Sequence, residues 1–242
     1  VSCATCHSSW TPRCIGCHNE FDKDEPSAYD LLDKKYTKGQ WKEYVAEFSS
    51  SLPAMGVRDN DEGKIIEPAI PGMIMTIDLN SYSDKKKEEN LLFHRLYAPN
   101  SPHTTSKKVR DCKSCHSNSA TLGYGKGILD YQIKNKKGKW IFIPEYAVNS
   151  NDNLPEDAWV PFLKPVDKKT INSTRSDFRP FTVKEQQKLL LVGACLQCHN
   201  DDSKVMQKTI EFGIKPSLKS LASNSLSGFT WSIRPVLVEY TK

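Results

Sequence analysis

A chain of 242 residues and 27.4 kDa has room for one domain or two small ones. Its apolar share of 38 % and mean hydropathy of −0.57 are low for that length, so its own side chains promise a thin core. The longest apolar runs, residues 70–79 and 189–196, fall short of the ~20 residues of a membrane-spanning helix, and the formal charge of +5 taken alone suggests only a mild preference for acidic partners.

The first twenty residues contain Cys3, Cys6 and His7, then Cys14, Cys17 and His18, with six residues between the two sets. The same Cys-x-x-Cys-His pattern returns at Cys112, Cys115 and His116 and at Cys195, Cys198 and His199, and these four sets use all 8 cysteines of the chain. The pattern is that of c-type haem attachment: two thiols add across the two vinyl groups of a haem, and the histidine beside the second cysteine becomes the proximal iron ligand. Zinc would use Cys-x-x-Cys pairs, and disulfides would explain an even count. Neither gives a reason for a histidine after every second cysteine. The expected cofactors are therefore four covalent haems c, with His7, His18, His116 and His199 on the irons. Four large apolar macrocycles would stand in for the missing core. Their propionates would offset most of the basic excess, so the lysines are not read as a nucleic-acid-binding surface.

On these motifs the chain resembles the multihaem c-type cytochromes. A second stretch is similar to a segment of larger multihaem cytochromes of anaerobic respiratory bacteria: Arg95, Leu96, Tyr97, Ala98 and Pro99, then Pro102, His103, Thr104 and Thr105, running into Cys112 and on to Gly123, Tyr124, Gly125, Lys126 and Gly127. The resemblance implies a mostly irregular and α-helical chain with a few short β-hairpins, packed around its haems with little side-chain core. It also implies a single tetrahaem unit over 1–242, with an amino-terminal dihaem segment (1–50), a third-haem segment with hairpins (51–145) and a fourth-haem segment (146–242). Haem attachment takes place outside the cytoplasmic membrane, so the expected location is periplasmic or extracellular. A chain opening this close to a haem motif is expected to have lost a secretory signal or to be the carboxy-terminal part of a longer one.

Between the motifs, residues 27–50 read as helical. Ser27 with Asp30 forms a capping-box pattern, and Trp41, Tyr44, Val45 and Phe48 recur at helical spacing. Residues 53–80 read as irregular β structure with a turn at 59–63 and strand-like runs either side of Pro71 and Gly72. Residues 81–90 are a charged, solvated run. The glycines of 123–127 lack phosphate-loop spacing and read as backbone freedom beside a haem. A β-hairpin is expected over 128–144, turning at 135–138. Residues 149–180, rich in Pro, Asp and Asn, read as loop. Thr182 and Glu185 form a capping box that opens a helix delivering the fourth motif. The apolar tail, 229–240, reads as an edge or docking strand.

Eight axial positions on four irons face 6 histidines. Four are proximal, which leaves His94 and His103 as distal ligands and at least two irons short. Methionine is an alternative ligand that raises the reduction potential; Met73 and Met75 are favoured over Met55 and Met206 because they sit on a strand-like run. The expected function is electron transfer through closely spaced haems between redox partners or other cytochromes, including self-assembly into an extracellular filament or membership of a larger complex. The alternative is a reductase or oxidase subunit in which one open-coordinate haem acts on a small nitrogen or sulfur compound.

Overall fold

The computed structural model describes residues 1–15, 18–22, 28–30, 34–44, 47–61, 63–78, 91–102, 104–135 and 137–213. In chain order the elements are α1 (Cys3–His7), β1 (Ser8–Ile15), β2 (His18–Asp22), β3 (Ala28–Asp30), β4 (Lys35–Thr37), β5 (Gln40–Tyr44), β6 (Glu47–Ser51), β7 (Ala54–Asn60), β8 (Gly63–Asp78), β9 (Leu91–Pro99), β10 (Thr104–Thr105), α2 (Lys113–His116), β11 (Gly127–Lys134), β12 (Lys137–Pro144), β13 (Ile171–Ser173), β14 (Phe178–Arg179), α3 (Val183–Cys195) and α4 (Lys204–Phe212).

Strands, not helices, organise this chain. The largest sheet runs β13-β9-β8-β2-β5, with β7 pairing β8 and β14 pairing β7. A second sheet runs β10-β1-β6, and β11-β12 and β3-β4 form separate pairs. The expectation of a mostly irregular and α-helical, haem-packed architecture is therefore overturned. Residues 27–50 carry four short strands where a helix was expected. Gly39, at φ +85°, places a left-handed residue inside that span, which ends any right-handed helix there. The aromatic residues that suggested a helical stripe suit strands equally well, and non-local pairing decided between them: Trp41 lies opposite Phe21 and Phe48 opposite Cys14.

The expectation of little side-chain core is also overturned. Tyr97, Tyr124, Trp140, Phe142, Trp159, Phe162 and Phe178 are buried in one cluster with Leu122, Leu154, Leu163 and Leu190. The aromatic share of the chain is only 10 %, but it is concentrated here. Trp140 and Phe142 come from the inner face of β12, whose alternation matches the period of a strand with one side covered. Trp159 stands edge-on to Tyr97 at 4.9 Å between centroids. It also explains Gly123, which has φ +90° and whose absent Cβ would fall 2.0 Å from the Trp159 indole nitrogen.

The stretch 149–180 is largely irregular, as expected, but it is pinned inward. Arg95 on β9, 1 % exposed, donates from Nε and Nη2 to both carboxylate oxygens of Asp152 at 2.8 and 3.0 Å. Its Nη1 donates to the carbonyls of Pro155, Glu156 and Ala158. Within the loop, the side-chain oxygens of Asn149, Asp152 and Asp167 accept from backbone N–H groups two residues on, forming Asx turns.

Two local expectations hold. The hairpin β11-β12 pairs Gly127 with Pro144 through to Lys134 with Lys137. Asn135 at its turn has φ +52°, which asparagine tolerates. Helix α3 starts at the expected capping box: Glu185 N–H donates to Thr182 Oγ1 at 3.4 Å and Thr182 N–H to Glu185 Oε2 at 2.8 Å. Residues 53–80 are more regular than expected, with β7 and the long β8 paired from Ala54–Ala69 to Asn60–Gly63. The expected runs at 81–90 and 229–240 lie outside the described residues.

Arg179 ties α3 to the sheet, donating to Asp59 and, through two bonds, to Glu185. Burial alone would raise the Glu185 carboxyl; the Arg179 fork and the Thr182 donors outweigh it and hold the carboxyl at about 2. A carboxyl depressed by folding stabilises the fold above its unfolded value of ~4.3, and that contribution is lost as the pH falls toward the folded value. Glu185→Gln is therefore expected to flatten the decline of stability over this acid window. Urea midpoints measured against pH check this, and an unchanged slope contradicts it.

Candidate functional site

Three of the four motifs are set on helical turns. The first is α1 itself, opened by Ser2, whose side chain accepts from Thr5 N–H. The third is α2 preceded by Cys112, whose carbonyl accepts from Cys115 N–H at 3.3 Å and His116 N–H at 2.9 Å. The fourth repeats the pattern at the end of α3: the Cys195 carbonyl accepts from Cys198 N–H at 3.2 Å and His199 N–H at 3.0 Å. On such a turn residues i, i+3 and i+4 share a face, so both thiols and the imidazole are presented together. The second motif differs. Cys14 lies in β1 and His18 heads β2, while Cys17 lies outside the described residues.

The imidazoles of the first and third motifs are oriented. His7 Nδ1 is 2.9 Å from the Ser106 carbonyl, and His116 Nδ1 is 2.9 Å from the Leu189 carbonyl. A carbonyl only accepts, so each Nδ1 donates, and the tautomer this selects has its lone pair on Nε2. Metal-bound histidines are commonly held this way through their other nitrogen. Burial also keeps His116 below the usual histidine range, against the Leu189 carbonyl, which raises it.

Cys3, Cys6, Cys112, Cys115, Cys195 and Cys198 are in no disulfide. Burial pushes Cys112, Cys115 and Cys195 upward. These thiols are thus kept protonated, the opposite of an activated nucleophile.

The first and third motifs meet. His7 accepts from Ser106 N–H at its carbonyl, and Cys6 accepts from Arg110 N–H at 3.0 Å. Between them lies a cavity of about 230 Å³ lined by Cys6, Cys112, Cys115, His116, Met55 and Arg110, with Ile66, Phe181 and Leu189 among its apolar walls. Arg110 donates from Nη2 to the Ser114 carbonyl at 3.0 Å and to Thr121 Oγ1 at 2.9 Å. Its Nε and Nη1 are buried with no partner. Sequence reasoning missed Arg110 altogether; its only signal is its place two residues before Cys112. It passed over Met55 in favour of Met73 and Met75.

The third and fourth motifs also meet. Helix α3 packs on α2 so closely that a Cβ on Gly193 would stand 2.1 Å from the His116 carbonyl oxygen. Gln197 Nε2 donates to Ser117 Oγ at 3.3 Å. Burial raises the hydroxyl of Tyr131 on the hairpin.

His94 lies on β9 opposite Met75 of β8, and Met75 lies opposite Asn19 of β2. His18 is one position before Asn19, opposite Ile74. The sheet thus brings the register positions of His18, Met75 and His94 onto three adjacent strands. His94 Nδ1 is 2.6 Å from the Asn172 side-chain amide. Met73 falls where the β8-β9 register shifts between Pro71 and Ile74. Met206 is buried on α4, just beyond the fourth motif. His103 lies outside the described residues.

Among the described residues no group of three or more His, Cys, Asp and Glu side chains is arranged to hold a metal ion on its own. The chain matches no family model, no curated protein and no solved structure.

Proposed function

We propose that this chain is a c-type cytochrome that carries electrons through four covalently attached haems, working outside the cytoplasmic membrane between redox partners or other cytochromes. The observation that carries the reading is the pairing of each Cys-x-x-Cys-His turn at the first and third motifs with an imidazole whose Nδ1 is bound to a backbone carbonyl. That arrangement leaves Nε2 as the donor atom beside two thiols. The residue types also fit the group: paired thiols beside an imidazole at each turn, and an apolar-walled cavity that holds Cys6, Cys112, Cys115 and His116.

Bound haem supplies one-electron oxidation and reduction at iron. The chain's own part is to hold and insulate. Cys3 and Cys6, Cys14 and Cys17, Cys112 and Cys115, and Cys195 and Cys198 are the tethers, and His7, His18, His116 and His199 the proximal ligands. His94 is the proposed distal ligand; Met75, opposite it in the sheet, and Met55, in the cavity wall, are the thioethers proposed beside it. The contacts joining the first, third and fourth motifs keep those three sites close, which favours transfer over storage in isolated centres.

Low-temperature electron paramagnetic resonance of the purified holoprotein tests the carrier role. Four low-spin haems that nitrite, hydroxylamine and cyanide leave unchanged are expected. A high-spin signal that shifts with those ligands would instead favour the reductase reading.

A further inference from the structure

A second hollow, a cleft of about 510 Å³, lies where the stretch 149–180 meets the start of α3. That size is usual for a small-molecule site, and none of the motif cysteines or histidines is among its described lining. Its walls are Tyr97, Val166, Ile171, Pro180, Phe181 and Val183. The one polar side-chain group among them, the Tyr97 hydroxyl, already donates to the Phe178 carbonyl at 3.4 Å. The walls therefore offer an occupant apolar contact and little else. The rim is charged, and one-sidedly. Arg179 reaches it, but its N–H groups are spent on Asp59, Glu185 and the Pro180 carbonyl, and the two carboxylates are spent on it in return. Thr182 Oγ1 is likewise engaged by Glu185. Lys168 and Lys184 are left: both are exposed, and neither pairs with a carboxylate among the described residues. Lys184 also sits in the first turn of α3, where the positive end of the helix disfavours a cation.

We propose that this cleft binds a small apolar molecule carrying one acidic head group, its body against Val166, Ile171 and Phe181 and its head group beside Lys168 and Lys184. The walls supply the affinity by removing apolar surface from water, and the two uncompensated ammonium groups select an anion over a neutral molecule of the same shape. Phe181 lines both this cleft and the cavity at the first and third motifs, so the occupant lies one side chain from that cavity. No residue of the cleft belongs to a motif, and the site is independent of the haem reading.

Isothermal titration calorimetry of the purified full-length protein tests this, with 2-naphthoate as the charged probe and 2-naphthol as its uncharged counterpart at neutral pH. One saturable site for 2-naphthoate is expected. The double variant Lys168→Gln with Lys184→Gln is expected to weaken it about five- to tenfold, the scale of two exposed charge contacts, and added salt to weaken it in the wild type alone. 2-Naphthol is expected to bind more weakly than 2-naphthoate to the wild type and to bind the double variant and the wild type equally. Val183→Trp, which fills the hollow and keeps both lysines, is expected to abolish binding of both probes. The lysines are exposed, so their variants keep the fold and carry the test should Val183→Trp unfold. No saturable site, or 2-naphthoate binding that the loss of both lysines leaves unchanged, overturns the proposal. A dimer in analytical ultracentrifugation that Val183→Trp converts to monomer overturns it too, by giving the cleft to a second copy of the chain.

Discussion

Asp152→Ala is expected to destabilise the fold by about 3–5 kcal/mol, the cost of breaking a buried ion pair and stranding one charge. Both side chains are almost fully enclosed, Arg95 at 1 % and Asp152 at 4 % exposure. The pair is bidentate, and the three carbonyls that receive Arg95 Nη1 are neutral acceptors that cannot replace a carboxylate. The loss would not stay local. Residues 152–158 would be released from β9, Ala158 among them, and the adjoining Trp159 would lose its anchor; both belong to the core cluster. The same strand holds the position of His94, so a shift in β9 would be felt at the sheet's candidate ligands. Denaturant titration measures the effect. Replacing the pair together, Arg95→Met with Asp152→Leu, is expected to recover much of the loss, because no charge is then left buried. A single-variant cost below about 1 kcal/mol would show that Arg95 finds solvent or another anion.

Gly193→Ala is expected to be unfavourable although alanine is the better helix former by about 1 kcal/mol. The new methyl carbon would stand 2.1 Å from the carbonyl oxygen of His116, a backbone atom that no rotamer change can move aside. Helix α3 or the third motif must shift, at about 1–3 kcal/mol for overpacking of this kind. A shift there acts on the site directly. The Leu189 carbonyl that orients His116 lies one turn earlier on α3, and Cys195 lies at its end. The variant should therefore perturb the third and fourth motifs together, seen as a lower denaturation midpoint and as changed haem spectra in the holoprotein. Stability and spectra equal to the wild type would mean that the α2-α3 contact does not set the site.

What was legible in the sequence was local. The hairpin needed only its alternation and the turn residues of 135–138, although Lys137 and Gly138 prove to lie in the second strand, and α3 needed only Thr182 and Glu185 at a capping-box spacing. The four Cys-x-x-Cys-His sets were legible as a repeated spacing, and Cys112 and Cys195 each open a helical turn that carries one of them. What was not legible depended on distant partners. Trp41 and Phe48 fit a helical stripe until β2 and β1 supply strands to pair with. The side-chain core was hidden because Trp159 and Phe162 sit in a Pro- and Asp-rich stretch, which distant residues turn inward: Arg95, some sixty residues earlier, donates to its carbonyls, and Gly123 accepts from Trp159 and Val160. Arg110 was invisible for a related reason: nothing in its neighbours in sequence reveals that two of its N–H groups are buried beside Cys6, a hundred residues away.

On the proposed function, each of the four Cys-x-x-Cys-His sets carries one covalent haem. Intact-mass measurement of the protein, produced in a host with cytochrome c maturation and unfolded in acid before injection, tests it most directly. The expected mass is that of the 27.4 kDa polypeptide plus four haems, with each haem mapped by peptide analysis to one cysteine pair. A mass equal to the bare polypeptide, with the eight thiols free for alkylation, would contradict it.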